Sequence, residues 1–136
     1  MNASAVALLG FAAWTLALVA LLLFYRTALV FSGRSPANAW MRGTTNPGDP
    51  ALVVRMLHAH QNCLESLPVF AAIVIGALIL NKTAVTDAVA MWVLYARFAQ
   101  SATHLAGTSH WLVMVRATFF SAQLALFAWM LWGLLH

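Results

Sequence analysis

The sequence predicts an all-α membrane protein, a bundle of four transmembrane helices in one domain over residues 1–136. Three observations carry that prediction. Of the 136 residues, 63% are hydrophobic and only 7% charged, where a soluble domain averages roughly 25% charged. Apolar runs long enough to cross a bilayer recur along the chain. One polar loop, rich in arginine, glycine and proline, interrupts them. Mean hydropathy is +0.85. The net charge of +4 sets seven Lys and Arg against three acids. With so few charges, that excess is a topology signal rather than a nucleic-acid footprint, and no nucleic-acid partner is expected. The single cysteine, Cys63, excludes an internal disulfide framework, and its apolar setting predicts a buried, inert thiol.

The first helix is expected over residues 3–26. Ala3 to Phe24 carries no charge, and about 22 residues make some 33 Å of helix, enough to span the hydrocarbon core. With no Lys or Arg before it and Arg26 after it, the run reads as a retained helix and not a signal peptide. Trp14 is expected to pack or face lipid, and Tyr25 to anchor at the interface. The loop from Arg26 to Pro50 holds Arg26, Arg34 and Arg42, with Gly33, Pro36, Gly43, Pro47, Gly48 and Pro50 as turn formers. Positive residues gather on the cytoplasmic side, so this loop is expected inside and both termini outside.

Helix two is expected over residues 51–80, with Pro68 tolerated inside it because membrane neighbours re-satisfy the freed carbonyl. Asn81-Lys82-Thr83 reads as an outer turn. Helix three follows over 84–105, with Asp87 expected to be solvated near the outer end. Helix four is expected over 111–135, with Arg116 near its start and Trp129 and Trp132 as interface anchors. The short loops and lack of retention signals favour a bacterial inner membrane over an organelle.

The chemistry gathers on helix two. Arg55, His58, Asn62 and Glu65 fall within roughly 80° of one another at 100° per residue, so they form one polar stripe. Ionisable groups at membrane depth are costly and by default suggest function, although interhelical hydrogen bonding alone would also account for some of them. A second stripe on helix three, Arg97, Gln100 or Ser101, and His104, lies at similar depth. An unpaired charge there is expensive, so Glu65 and Arg97 are expected to form an ion pair or share one ligand. His58 and His60 diverge by about 200° on a helix and are poor joint metal ligands, so no metal site is expected. His60 alone reads as a packed, hydrogen-bonded interface residue before it reads as a base. Four short helices enclose little space, so a site for a polar ligand is more easily built between subunits.

The pattern Arg55-x-x-His58-Ala59-His60-x-Asn62-x-x-Glu65-x-x-Pro68-x-Phe70, with the Tyr95-Ala96-Arg97 step in helix three, resembles the MAPEG superfamily. These are the membrane-associated proteins of eicosanoid and glutathione metabolism, and the chain is most similar in kind to their microsomal glutathione transferases. The resemblance implies a homotrimer of four-helix subunits, with glutathione held between neighbours as co-substrate. It implies a lipophilic second substrate entering from membrane lipid. By position, Asn62 and Glu65 would hold the glutathione backbone, with Glu65 on its α-amino group. His58, His60 and Arg97 complete that set, and Arg26 would meet a carboxylate. Two positions depart from the family's pattern: His58 stands where Arg is common, and His104 where many members have Tyr.

The chemistry implied is thiol activation. Glutathione's thiol ionises near the free cysteine value of about 8.5, and a guanidinium at low dielectric favours the thiolate without losing its own proton. Arg116 is the expected cation, with His104 as a second donor. The thiolate would then attack a hydrophobic electrophile or a hydroperoxide. Two other readings compete. A non-catalytic lipid-binding scaffold, as in the superfamily's five-lipoxygenase-activating protein, would suit the two departures. A small transporter subunit would use Glu65 as a proton site.

Overall fold

The computed structural model describes residues 2–42 and 44–136, and these residues form five helical segments. Helix α1 runs Ala3–Phe31, α2 Ala51–Ile79, α3 Thr83–Asp87, α4 Ala90–Ala106 and α5 His110–Leu135. Three of them, α1, α2 and α5, are long and apolar enough to cross a membrane. Helix α4 has 17 residues, about 26 Å at 1.5 Å per residue. The short α3 supplies most of the remaining rise, so α3 and α4 together make the fourth member of the bundle.

Helix α1 continues five residues beyond the expected Arg26, because nothing in Thr27–Phe31 breaks it. Its stop is Gly33, at φ 71°. The Gly33 amide donates to the Val30 carbonyl at 3.0 Å and that of Arg34 to Leu29 at 3.0 Å. This is a Schellman ending, which needs a residue comfortable in the left-handed region. Helix α2 ends the same way on Asn81, at φ 54°, with Lys82 donating to the Ala77 carbonyl at 2.9 Å.

Helix three is not continuous from residue 84. It breaks at Ala88–Val89, where the Asp87 carboxylate leaves the helix surface to accept from Ser4 N at 2.7 Å and Ser4 Oγ at 2.5 Å. Asp87 is thus a half-buried cap on the start of α1 and not a solvated residue. At the same end, Lys82 Nζ donates to the Leu134 carbonyl at 2.9 Å and satisfies one of the last carbonyls of α5.

Helix α4 is the centre of the bundle, packed against α1, α2 and α5. Phe70 lies between Phe11 and Phe127, with ring centroids 6.1 and 5.7 Å away, and so joins α1, α2 and α5. Gly10 lets α1 approach α4, since a Cβ there would sit 2.9 Å from Leu94 Cδ2. Only the second half of α5 contributes to the core, through Gln123, Phe127, Met130 and Leu134.

The loop of residues 32–50 is organised by Asp49. Its carboxylate accepts from Trp40 Nε1 at 3.0 Å, Asn46 N at 2.9 Å and Tyr25 Oη at 3.3 Å. Tyr25, expected as an interface anchor, therefore ties the loop to α1. Arg26 lies over the Trp40 ring at 5.5 Å and donates to the Thr44 carbonyl at 3.1 Å.

Candidate functional site

Asn62 stands eleven residues into α2, about 17 Å along it, and is the meeting point of the two polar stripes. Arg97 Nη1 and Gln100 Nε2 both donate to its Oδ1, at 2.5 and 2.9 Å. Arg97 Nη2 donates to Ser66 Oγ, whose own proton goes to the Asn62 backbone carbonyl at 3.0 Å. The guanidinium also lies 4.8 Å from the centre of the Phe11 ring, a cation–π contact. Gln100 in turn accepts from Gln123 Nε2 at 2.7 Å. The polar core thus runs from α2 through α4 to α5.

Arg97 is 1% exposed and Gln123 0%. Arg97 Nε and Gln123 Oε1 are buried with no partner among the described residues. A buried polar atom left unpaired costs about 1–3 kcal/mol, so the arrangement carries a strain that packing alone does not require.

Glu65 and Arg97 were expected to form an ion pair or share one ligand, and the ion pair is not formed. Both terminal nitrogens of Arg97 go to neutral partners, Asn62 and Ser66. Glu65 is exposed on α2. The reason is rotational: Ser66, one residue on, occupies the buried face, and the 100° step turns Glu65 out of it. Neutral acceptors and an aromatic face offset part of the desolvation of Arg97 without a second buried charge.

His104 closes the stripe on α4. It is 8% exposed, with Nδ1 buried and unpartnered among the described residues. The His58 ring lies 6.2 Å away. Arg116, on the first turns of α5, is half-buried, and none of its donors is bonded among the described residues. Arg55 is committed elsewhere: its Nε donates to the Leu105 carbonyl at 2.8 Å, capping α4.

The remaining site residues lie on another side of α2. His60 faces α1, with Nδ1 3.2 Å from the Thr15 carbonyl. A carbonyl only accepts, so Nδ1 carries the proton and, in the neutral ring, Nε2 is left as an acceptor. His60, Gln61, Arg26 and Arg42 share a groove of about 490 Å³ between α1 and α2, walled by leucines. Within one chain the expected site residues therefore form two groups: His58, Asn62, Glu65, Arg97, His104 and Arg116 in one, Arg26 and His60 in the other.

Three participants lie outside the expected set. Ser66 is one residue past Glu65 and reads as a small packing residue. Trp14, half-buried, donates its indole N–H to Ser101 Oγ at 3.0 Å. Gln123 is the lone side-chain amide of α5, and an amide amid so many apolar neighbours is the signal that could have found it. Cys63 is buried as expected, 4.0 Å from Ser101 Oγ.

An apolar groove of about 700 Å³ also opens between α4 and α5. Trp92, Tyr95, Phe119 and Trp129 rim it, over a floor of alanines.

A helical membrane bundle with a polar relay across its interior and arginines near one end defines a narrow class of protein. The MAPEG family model matches residues 4–136, and the chain belongs to that family. It is a membrane protein of the superfamily concerned with glutathione and eicosanoid metabolism. No curated protein matches it, and no solved structure does.

Proposed function

We propose that the protein is a glutathione-dependent membrane transferase, acting as a homotrimer with its sites between subunits. The observation that carries this reading is the division of the polar residues into two groups on different sides of α2. His58 and Glu65 are exposed on one side, while Arg26 and His60 share the groove on the other. One glutathione can meet both groups only if a second copy brings its groove against the first copy's stripe. Glu65 then takes the α-amino group, Asn62 the peptide backbone, and Arg26 of the neighbouring subunit a carboxylate.

Arg116 fits the thiolate role better than the other arginines. Arg97, Arg55 and Arg26 donate to Asn62 and Ser66, to Leu105 and to Thr44 respectively. Arg116, half-buried near the start of α5, makes no hydrogen bond among the described residues and keeps its donors for a ligand. A guanidinium stabilises the sulfur anion and cannot act as its acid. The thiolate attacks an electrophilic carbon, the new C–S bond forms, and the electron pair leaves with the departing group. With a hydroperoxide in place of carbon, the same anion would attack the terminal oxygen. The O–O bond would break and the alkoxide would leave as the alcohol. A second glutathione would reduce the resulting sulfenic acid, giving the disulfide and water. The groove between α4 and α5 is apolar enough to hold the lipophilic partner. It suits a non-catalytic lipid-binding member of the family equally well, and glutathione binding separates the two readings. The arginine-rich first loop favours a cytoplasmic opening.

The test is calorimetry of glutathione binding to detergent-purified protein at pH 6 and pH 8, on the native chain and on Glu65→Gln. Saturable binding with proton release is expected. Binding should weaken by an order of magnitude or more in the variant, about 1.4 kcal/mol, within the range for a lost hydrogen bond to a charged group. No binding by the native protein at millimolar glutathione would leave the lipid scaffold as the reading.

A further inference from the structure

The relay Arg97–Asn62–Gln100–Gln123 has a direction that its chemistry dictates. Arg97 has only donors to offer. Asn62 must therefore meet it with Oδ1, and Gln100, reaching the same oxygen, must donate through Nε2. That leaves Gln100 Oε1 as the acceptor for Gln123 Nε2 at 2.7 Å. The second hydrogen of Gln123 Nε2 goes to the Phe119 carbonyl at 3.2 Å, which can only accept. Three amides are thus oriented from both ends, by a cation on α4 and a backbone carbonyl on α5. Gln123 Oε1 is left buried without a partner among the described residues. Turning that amide over would set an oxygen against two acceptors, so the orphan atom is what the direction costs.

The output of the relay is at Asn62. With Oδ1 held by two donors, Nδ2 occupies the other branch of the amide and points away from both. Asn62 is half-buried and lies between exposed His58 and Glu65 along α2. We propose that Gln100 and Gln123 are positioning residues, which lock the Asn62 amide with its NH₂ branch turned to a carbonyl or carboxylate of glutathione. Neither reaches the ligand: Gln100 is 1% exposed and Gln123 0%. The effect is on the recognition of an acceptor group and not on the sulfur chemistry, which belongs to Arg116 and His104. This inference rests on the glutathione reading above, and its test keeps the two apart.

The test uses Gln123→Met and Gln100→Met in the full-length protein. Methionine matches glutamine in length and fills the space, but cannot donate. Two readouts are taken: the side-chain amide ¹⁵N–¹H resonances of Asn62, identified by their loss in Asn62→Asp, and glutathione affinity by calorimetry. Both variants should move the Asn62 resonances and weaken glutathione binding by about three- to tenfold, the size of one hydrogen bond, with Gln100→Met the larger. With 1-chloro-2,4-dinitrobenzene as electrophile, KM for glutathione should rise while kcat holds. Leu124→Ala, an exposed neighbour on α5, should leave all of these unchanged. Unmoved Asn62 resonances or unchanged glutathione affinity in both variants overturns the proposal. So does a fall in kcat with KM constant. If Gln123→Met does not fold, Gln100→Met carries the same readouts. If the native protein binds no glutathione, the functional reading fails by itself, and the lock stands or falls on the Asn62 resonances.

Discussion

Helix α4 and the first half of α5 each carry one arginine, and they treat it in opposite ways. Arg97 is 1% exposed, with both terminal nitrogens bonded and an aromatic ring against its face. Arg116 lies in a stretch, His110 to Ala122, in which no residue is buried, and none of its donors is bonded among the described residues. A buried, bonded cation stabilises one arrangement of helices and is kept from a substrate by its burial. A half-buried, unbonded one contributes little to packing and can act on whatever anion arrives. Under the proposed function the comparison gives Arg97 to stability and Arg116 to chemistry, although the sequence presents them as two similar intramembrane charges.

The largest effect expected is on Arg97. Arg97→Met keeps most of the volume but leaves Asn62 Oδ1 and Ser66 Oγ each short of a donor inside the bundle. Two unsatisfied buried groups at 1–3 kcal/mol each predict a loss of about 3 kcal/mol in stability. This is read as a lower midpoint of unfolding in detergent. A variant with native stability and reduced turnover would break the comparison, because it would make Arg97 a chemical residue.

Arg116→Ala is expected to do the reverse. Turnover with glutathione should fall tenfold or more, about 1.4 kcal/mol in the barrier. Stability should stay within about 0.5 kcal/mol of the native protein, as for a surface substitution. Measuring the two side by side in purified protein sharpens the comparison. Unchanged turnover in a well-folded Arg116→Ala removes it from the mechanism.

What the sequence revealed and what it hid follow the same physical line. Periodicity tells which residues share a face, so the bundle, the polar stripe of α2 and the depth match between Asn62 and Arg97 were all legible. It does not tell which neighbour a side chain chooses. Glu65 and Arg97 were expected to pair or to share a ligand because an unpaired charge in lipid is costly, yet a single 100° step gives the inner position to Ser66 and the pair does not form. Gln123 was hidden for another reason: one amide in an apolar helix forms no pattern with its neighbours, and its partner is on another element. The end of α1 was legible once Gly33 is weighed above Arg26, since a charge does not stop a helix and a left-handed residue does. Asp87 was misread as solvated because its partner, Ser4, is 83 residues away in sequence.

Trp14 gives the smallest effect and a clean check on α4. Its indole N–H donates to Ser101 Oγ at 3.0 Å, and its ring meets Phe98 edge-on, with centroids 5.4 Å apart. Trp14→Phe keeps an aromatic ring but removes the donor, so Ser101 loses one hydrogen bond. The expected loss of stability is about 1 kcal/mol, the net value of a single such bond. Turnover should not change, because neither Trp14 nor Ser101 lies on the side of α2 that carries His58 and Glu65. If turnover fell while stability held, the polar residues of α4 could not be divided from the chemistry as the contrast with α5 divides them. The buried face would then be transmitting to the site through Ser101 and the adjacent Gln100, and not simply supporting it.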